Sequence, residues 1–476
     1  MNGPLRLAAA LLFSLPLALL PSSEATAETL EFSGSASSSF GVYLFSCPFG
    51  CQFLDYENRN VLAFQLDAEL GPQVATRGGV SLHNNNTPDV RRLEDAGEFS
   101  RVQPVDLRIT DAWISAYGIF HDDLDLRIGA QTRRWGTGDG YSPADRLSPM
   151  DFSDPTVFDQ RLAAPAVHAD FYRSSLTFSA TWFPFFIPSL LSGRLVNVLA
   201  GPDAADDLDF DGELPGDAPE INDVRTRIEI PRQSIRESAF AFRLDWAAPI
   251  ADFALGFYTG RDNLPQLSGE VAPENFFSGN RTDLLVNLRY PWLHMVAFET
   301  RAPIGNAWTG WIDAVVVFPS RTELFITRDR MLDLERLNVI DEAPDDDIRA
   351  VTQSGTPYPN LVLGADTTVG DRFYLNFQYF FGFLLERDFE DLNHYGLVTL
   401  RTPAFEGPLE FEFTGGAEAS QRFDAFGFTT RAHVLYRFAD RLELRASGLL
   451  QAGQEDTTLG RFSALSEARI TATAHF

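Results

Sequence analysis

Hydrophobic and polar residues alternate, position by position, along most of the chain after residue 28. Clear examples are the segments 62–70, 124–131, 240–246, 373–383 and 426–437. In each segment one set of alternate positions is apolar and often Phe, whereas the other set is mostly charged or polar residues and Gly. Successive side chains of a strand point to opposite faces, so a period of two predicts β-strands rather than helices.

The same pattern, read from end to end, predicts eighteen strands. Their predicted spans are 29–46, 61–71, 73–84, 105–120, 123–136, 165–173, 175–184, 238–249, 251–262, 283–304, 306–320, 357–369, 371–386, 394–405, 408–419, 425–439, 441–454 and 463–476. The segment 283–304 is kept as one strand, although Pro291 offers a turn, because splitting it would make the total odd. An even total places both chain ends on one rim of a barrel.

Soluble sandwiches also alternate, so further features have to decide between them and a membrane barrel. Here the apolar faces extend over as many as six alternate positions, and the opposite faces carry charges and Gly. Short turns such as Gly71-Pro72 and Gly305-Asn306 alternate with much longer connections. The predicted fold class is therefore all-β: a closed transmembrane antiparallel β-barrel of about 18 strands, with long extracellular loops and short periplasmic turns.

Residues 1–27 are predicted to be a secretory signal peptide, and residues 28–476 an outer-membrane β-barrel. Arg6 supplies a positive charge, residues 7–15 form an apolar core, and Ala25-Thr26-Ala27 provides a small-residue cleavage site. A membrane anchor is the alternative, but the apolar core is shorter than the ~20 residues that a spanning helix needs. The first strand begins close to the cleavage site, so no N-terminal plug of the kind found in energy-coupled receptors is expected.

The last segment of the chain is amphipathic and ends on an aromatic residue. Phe476 shares one face with Ile470 and several Ala residues, while Glu467, Arg469 and His475 occupy the other. This arrangement resembles the signal by which the bacterial barrel-assembly machinery recognises outer-membrane proteins. The resemblance implies that machinery as a partner and Phe476 as the assembly signal. An ordinary edge strand that ends in Phe is the alternative.

Charge and composition narrow the classes of partner. The 476 residues include 38 basic and 66 acidic side chains, which gives a formal charge of −28. Such a polyanion does not follow a phosphate backbone, so no nucleic-acid partner is expected. A hydrophobic fraction of 45% is too high for a disordered acidic chain. The expected surroundings are outer-membrane lipid and lipopolysaccharide.

Residues 131–155 combine glycines, prolines and acidic residues after a predicted strand. This stretch resembles one that recurs in proteobacterial porin-like outer-membrane proteins, with a Gln on the strand, then W-G, a G-D pair and spaced P-x-D elements. The matching positions are Gln131, Trp135, Gly136, Gly138, Asp139, Pro143, Asp145, Pro149 and Asp151. The resemblance implies a channel or a substrate-selective porin. It covers a small part of the chain and indicates the architecture more than any substrate.

The same stretch predicts a loop that folds into the barrel and narrows it, because its glycines permit tight turns and its prolines stiffen the residues after them. Opposed carboxylates and guanidinium groups would then select solutes by charge. The candidate lining residues are Arg127, Gln131, Arg133, Trp135, Asp139, Asp145, Asp151, Arg243, Asp245 and Arg431. The alternative is that these charges pair with one another and only hold the loop.

Two other loops carry local signals. Cys47 and Cys51 flank a short turn, and two Cys residues in an exported protein favour a disulfide that pins the loop tip. A metal site would need two further soft ligands, and thiol redox chemistry is the remaining alternative. In the loop 321–356, Met331, Leu334 and Leu337 are spaced by three and predict a short helix. That loop either caps the barrel mouth or enters the lumen.

No pattern points to catalysis. The seven His residues are scattered, and none lies in a G-x-S-x-G, an H-E-x-x-H or a glycine-rich phosphate-loop context. No enzyme activity, cofactor or metal is therefore expected. The expected function is a porin-like outer-membrane channel for the passive diffusion of small hydrophilic solutes. The alternative is an export conduit or a structural barrel that encloses a polymer or a partner protein. Charge selectivity and oligomeric state, monomer or trimer, stay open.

Overall fold

A closed sheet of eighteen strands is the main feature of the fold. The computed structural model describes residues 29–45, 56–85, 104–157, 159–192, 194–195, 210–211, 220–277, 281–336, 343, 345–370, 372–404, 408–439, 441–454 and 456–476. The predicted signal peptide and both cysteines lie outside these residues. Eighteen strands pair in sequence as antiparallel neighbours, and the first pairs with the last. The predicted fold class is confirmed.

The barrel strands are numbered β1 to β18 in chain order. They are β1 Thr29–Tyr43, β2 Tyr56–Glu69, β3 Val74–Asn85, β4 Val105–Tyr117, β5 Leu124–Gln131, β6 Ala164–Arg173, β7 Leu176–Phe183, β8 Ala239–Ala247, β9 Asp252–Arg261, β10 Trp292–Ile304, β11 Trp308–Pro319, β12 Tyr358–Val369, β13 Phe373–Phe381, β14 His394–Ala404, β15 Leu409–Ala419, β16 Phe426–Ala439, β17 Leu442–Gly453 and β18 Glu467–His475. Each overlaps one of the predicted spans.

The chain ends meet at the seam between β18 and β1. The pairing runs from Ser35 opposite His475 to Tyr43 opposite Glu467. Beyond it, Gly34 and Phe476 exchange two backbone hydrogen bonds of 2.8 and 3.0 Å. The Phe476 ring lies directly over Gly34, where any Cβ would stand about 2.5 Å from the ring. The final residue therefore takes part in closing the barrel.

The two rims of the barrel differ in the length of their connections. On the rim that carries both chain ends, the connections are short, and the longest is residues 118–123. On the opposite rim they range from residues 420–425 to residues 184–238. We call these the short-turn rim and the long-loop rim. The arrangement is typical of bacterial outer-membrane barrels, in which the short turns face the periplasm.

The outer face of the barrel is apolar and exposed. Phe32, Phe242, Leu255, Phe428 and Ile470 have between 51% and 61% of their surface exposed, on strands distributed around the sheet. A closed sheet satisfies the backbone hydrogen bonds of its strands, which is what a strand needs in hydrocarbon. We therefore describe the protein as a transmembrane barrel. Among the described residues, no helix is long and apolar enough to cross a bilayer.

One predicted strand is wrong. The segment 283–304 is divided at Tyr290 and Pro291, and only β10 belongs to the barrel. The preceding strand, Arg281–Arg289, pairs in parallel with Glu220–Glu229 in a separate sheet. Proline cannot donate to a ladder, so the break falls where the chain leaves one sheet for the other. The parity of the barrel is unchanged because the extra strand lies outside it.

Shorter elements belong to the connections of the long-loop rim. The strands are Asp151–Phe152, Leu190–Leu191, Phe210–Asp211, Glu220–Glu229, Gln266–Leu267, Gly269–Glu270, Ala272–Phe277, Arg281–Arg289, Thr322–Ile326 and Ile348–Gln353. Among the described residues, helices span Arg328–Arg336 and Thr458–Arg461, and 3-10 turns span Ile235–Glu237, Phe389–Asp391 and Phe462–Leu465. The helix predicted around Met331 and Leu334 is confirmed. Both side chains pack in one apolar cluster with Leu324, Ile326 and Ile348 of the short strands Thr322–Ile326 and Ile348–Gln353. Leu337 lies outside the described residues.

Near the long-loop rim, strands β10 and β11 are apolar on both faces. Met295, Ala297 and Val317 point inward and are fully buried, although Val296 and Val316 next to them are about 40% exposed on the outer face. Inward apolar residues need a cover inside the lumen. Ala144 and Leu147, from the connection between β5 and β6, belong to the same cluster. Part of the lumen is therefore packed rather than open.

Candidate functional site

The connection between β5 and β6, residues 132–163, runs inside the barrel; we call it the inward loop. It forms hydrogen bonds with residues of β10, β11 and β13, which lie more than 160 positions further along the chain. It leaves β5 at one wall and is bound at another. The loop therefore crosses the lumen instead of projecting from the rim.

The inward loop is held by two buried carboxylates on the far wall, Glu299 of β10 and Asp313 of β11, which we call the acidic anchor. Gly136 N donates to Glu299 Oε2 at 2.9 Å. Thr137 N and Gly138 N donate to Asp313 Oδ2 at 2.9 and 3.0 Å. The exposed fractions of Glu299 and Asp313 are 1% and 0%. Successive amides that converge on one anion form a nest, which accounts for the binding of both carboxylates.

Local backbone geometry makes this nest. Gly136 has a φ of +97°, a region that favours glycine, and an added Cβ would stand 2.0 Å from Ser142 Oγ. A larger residue would turn the amide away from the anchor. In the Trp135-Gly136 pair, the backbone amide of Gly136 therefore contributes to loop binding as well as the indole ring of Trp135.

Trp135 packs against the wall just before the nest. A Cβ on Gly256 of β9 would stand 2.7 Å from the indole ring, so this glycine makes room for it. The Arg243 guanidinium lies 5.7 Å from the centroid of the same ring. Arg243 also pairs with Glu299 at 2.5 Å and with Asp245 at 2.8 Å. Both predicted wall charges thus belong to the surroundings of the anchor.

Further along the loop, Asp139 meets β13. Its amide donates to Gln378 Oε1 at 3.2 Å, and Gln378 Nε2 donates back to the Asp139 carbonyl at 2.9 Å. Burial raises the pKa of the Asp139 carboxyl, and Arg401 opposes that shift. The side chain lies in the lumen, where two cavities adjoin.

The predicted residues on β5 and directly after it do not line either cavity described below. Gln131 is 1% exposed, and its Nε2 donates to the Ala166 carbonyl at 3.0 Å. Arg133 Nε donates to Gln131 Oε1 at 2.9 Å. The Arg127 guanidinium stacks 4.1 Å from the centroid of Trp113. These contacts position the start of the loop.

Two of the predicted acidic residues are paired and buried. Asp145 forms an ion pair with Arg161 at 2.7 Å, which links the two limbs of the inward loop. Burial raises the pKa of Asp145, and Arg161 opposes the shift. Asp151 pairs with Arg108 of β4 at 3.0 Å. Their exposed fractions are 8% and 7%, so both carboxylates are buried in ion pairs.

Two adjoining cavities lie between the inward loop and the wall formed by β13 to β17. The first has a volume of about 190 Å³ and is mostly apolar; we call it the apolar cavity. Its lining includes Tyr141, Phe380, Phe383, Leu397, Leu449 and Phe462. Leu449 lies near the end of β17 at the long-loop rim, which places this cavity on that side.

The second cavity has a volume of about 230 Å³ and is charged; we call it the charged cavity. Its lining includes Asp139, Arg401, Glu412, Arg431, His433 and Arg445, and the first four also line the apolar cavity. Arg401 and Arg431 share Glu412, at 2.7 and 3.2 Å. Arg445 lies towards the end of β17 at the short-turn rim. The two cavities therefore follow one another along the barrel axis.

Two further connections cover the apolar cavity, and buried glutamates join them. Glu386, in residues 382–393, and Glu418 of β15 both lie within hydrogen-bond distance of Tyr395 Oη. Glu418 also accepts from the amides of Thr458 and Leu459 at 2.8 and 2.7 Å. Burial raises the pKa of Glu386 to about 7, although several donors oppose the shift.

Sequence reasoning located the loop but missed its anchor. Glu299 and Asp313 occupy inward positions next to the buried apolar residues Ala297 and Val315, and that contrast was the available signal. Arg401, Arg445 and Gln378 were missed because inward polar positions occur on many strands. Among the described residues, no group of three or more His, Cys, Asp or Glu could hold a metal ion.

Comparisons with known proteins yield a similarity of fold only. No protein-family model matches the chain, and no curated protein matches it. The chain is similar to the crystal structure of OpdK from Pseudomonas aeruginosa with vanillate, at 10% identity over 94% of this chain and 99% of that chain, with a TM-score of 0.47. It is also similar to OccAB4 from Acinetobacter baumannii, at 8% identity over 95% of this chain and 100% of that chain, with a TM-score of 0.48. The interpretation of the site rests on its own geometry.

Proposed function

We propose that this protein is an outer-membrane channel through which small hydrophilic solutes diffuse passively. The observation that carries the proposal is the inward loop, which crosses a closed transmembrane barrel and is fixed to the far wall by the acidic anchor. A loop held in this way narrows the lumen without sealing it, since two cavities adjoin along β13 to β17.

In this proposal the lining residues are those of the cavities rather than all of the predicted set. Asp139 on the loop faces Arg401 and Arg431 on the wall. Opposed carboxylate and guanidinium groups produce a transverse field that acts on the charge and dipole of a passing solute. Gln131, Asp145 and Asp151 hold the loop in place, and Phe476 serves as the assembly signal at the seam.

Cysteine accessibility tests the path directly. In a background with Cys47→Ser and Cys51→Ser, the variant Arg445→Cys places a thiol in the charged cavity. After reconstitution in planar bilayers, we expect stepwise conductance that falls when a charged, membrane-impermeant thiol reagent is added. Leu444→Cys is the matched control, because Leu444 is the preceding residue on β17 and is 38% exposed on the outer face.

Two results would contradict the proposal. Flat current across many insertions of the unmodified protein would remove the open channel, though not the barrel. Equal loss of conductance in both cysteine variants would show that the charged cavity is not the conducting path.

A further inference from the structure

We propose that the apolar cavity and the arginines at its inner end form one binding site for an organic anion that carries an aromatic or branched apolar body. The inference rests on the proposed channel function and names the class of solute that the channel selects. It combines the size and lining of the apolar cavity with an arginine that has unused hydrogen-bonding capacity.

The apolar cavity has the dimensions of a small ring. Its volume is about 190 Å³, and its walls include Phe380, Phe383, Leu397, Leu449 and Phe462. An apolar cavity of about 150 Å³ in another protein accepts benzene. A strongly hydrated solute would lose water contacts against these walls, whereas an apolar body gains free energy in proportion to the area that it buries.

Polar atoms without partners line this cavity. Among the described residues, Arg431 Nε and Gln451 Oε1 are buried and have no hydrogen-bond partner. Tyr141 Oη, on the inward loop, is also buried without a hydrogen-bond partner. All three residues line the apolar cavity. Buried polar groups are normally satisfied. Arg431 Nε and the Tyr141 hydroxyl can donate to a bound anion, whereas Gln451 Oε1 accepts only.

The charges around these atoms favour an anion. Arg401 and Arg431 share the carboxylate of Glu412. Of the other acidic residues that line the two cavities, Glu410 pairs with Arg437 and Asp159 with Arg134. The guanidinium groups of Arg401, Arg431 and Arg445 therefore outnumber the remaining carboxylates of Glu412 and Asp139 by one. Within the part of the chain that the structure describes, Arg445 has no carboxylate at ion-pair distance, and it lies further along the path in the charged cavity. A guanidinium fork binds a planar carboxylate through two parallel hydrogen bonds. A bound organic anion would place its carboxylate at Arg431 and its apolar body among the leucine and phenylalanine side chains.

The order of the cavities suits passage from outside to inside. A solute from the long-loop rim reaches the apolar walls first and the arginines second. The anionic group is then passed from Arg431 towards Arg445, and the apolar body leaves its cavity behind it. A sugar would gain from neither part.

Current block in planar bilayers tests the inference with acetate, benzoate, benzyl alcohol and glucose as probes. We expect the half-blocking concentration of benzoate to be at least about tenfold below that of acetate, because the ring buries apolar area that acetate lacks. Benzyl alcohol, with the ring but no charge, should block more weakly than benzoate, and glucose most weakly. Equal block by acetate and benzoate would overturn the proposal.

Two variants separate the halves of the site. Leu449→Trp should fill the apolar cavity and raise the half-blocking concentration of benzoate about tenfold or more. Leu450→Trp is its matched control, since Leu450 is the next residue of β17, is 45% exposed on the outer face, and should leave block unchanged. Arg431→Gln should remove the preference for benzoate over benzyl alcohol. A retained preference would show that Arg431 does not bind the carboxylate.

Different experimental results would contradict the binding site and the channel function. Conductance steps in salt solution without selective block by benzoate would contradict the binding site but not the channel function. If no steps are seen, isothermal titration calorimetry of the detergent-solubilised protein with benzoate still decides the matter. Binding that is lost in Leu449→Trp and kept in Leu450→Trp would support the site, and absence of binding to the unmodified protein would remove it.

Discussion

At the residue scale, the lumen is organised by carboxylates that bind backbone amides. Asp313 accepts the amides of Thr137 and Gly138 and the Thr137 hydroxyl, the last at 2.5 Å. Hydrogen bonds to a charged group contribute more than neutral ones, about 1.5–3 kcal/mol each. Asp313 therefore contributes strongly to holding the inward loop across the lumen, and its replacement should be visible in the current.

Replacement of Asp313 is the direct test of this anchor. Asp313→Ala leaves two buried amides without acceptors, at a cost of about 1–3 kcal/mol each. We expect the loop to detach from β11, with a larger and noisier single-channel conductance. Asp313→Asn keeps an acceptor and should have a smaller effect. The control is Asp366→Ala, since Asp366 lies beside Arg301 on the inner wall, 3.8 Å from it. Unchanged conductance in Asp313→Ala would show that the loop does not depend on the anchor.

At the element scale, connections on the long-loop rim are tied to each other by buried acid groups. Glu386 in residues 382–393 and Glu418 on β15 meet at Tyr395, and Glu418 also holds the start of the helix Thr458–Arg461. The side chains of both glutamates are nearly inaccessible, at 4% and 1%. Ionisation of Glu386 places a negative charge beside the Glu418 side chain, and the resulting repulsion opposes the hydrogen bonds that hold these connections.

Glu386 should make the cover of the apolar cavity sensitive to pH. Its pKa in the folded protein is raised from 4.5 to about 7 by burial. The folded state therefore holds the proton more tightly than the unfolded state. The stabilisation is complete at low pH and is lost as the pH rises through about 7. We expect the current noise of the unmodified channel to increase between pH 5 and pH 8.

The variant Glu386→Gln imitates the protonated side chain, so its current should keep the low-pH behaviour throughout this range. Glu390→Gln, an exposed acid on the same connection, should retain the pH dependence of the unmodified protein. Identical pH profiles for Glu386→Gln and the unmodified protein would assign the change to another group.

At the scale of the whole molecule, the barrel separates two apolar environments. The outer residues Trp246 and Trp308 are 48% and 38% exposed, whereas Trp311 is 4% exposed on the inner side. The apolar residues on the outer face require lipid as a cover, whereas those on the inner face are covered by the chain's own connections. The protein therefore combines a membrane surface with a partly packed interior.

Brominated phospholipids distinguish these environments. In vesicles of such lipids we expect strong quenching of tryptophan emission, and Trp246→Phe should remove part of the quenchable emission. Trp135→Phe should remove emission that the lipid does not quench, because Trp135 packs on the inner wall against Gly256. Equal quenching of both contributions would contradict the assignment of the outer face to lipid.

The sequence by itself determined the architecture. Strand periodicity is a local property, so the alternation at 62–70 or 426–437 could be recognised without knowledge of its neighbours. Turn chemistry is also local, and it separated the two rims. Even the helix around Met331 could be predicted from spacing alone. Where the prediction failed, at 283–304, both halves were strands, and only the identity of the partner strand placed one of them outside the barrel.

The tertiary structure decided everything that depends on distance in the chain. The amides of Thr137 and Gly138 lie 176 and 175 positions from their acceptor Asp313, so no local pattern could pair them. The apolar cavity is likewise built from five strands and several connections, each of them ordinary when taken alone. Which predicted charges face the lumen and which are buried against one another, such as Asp145 with Arg161, depends on how a loop crosses the barrel. That path is set by long-range packing and hydrogen bonding, which the order of residues encodes only through the fold.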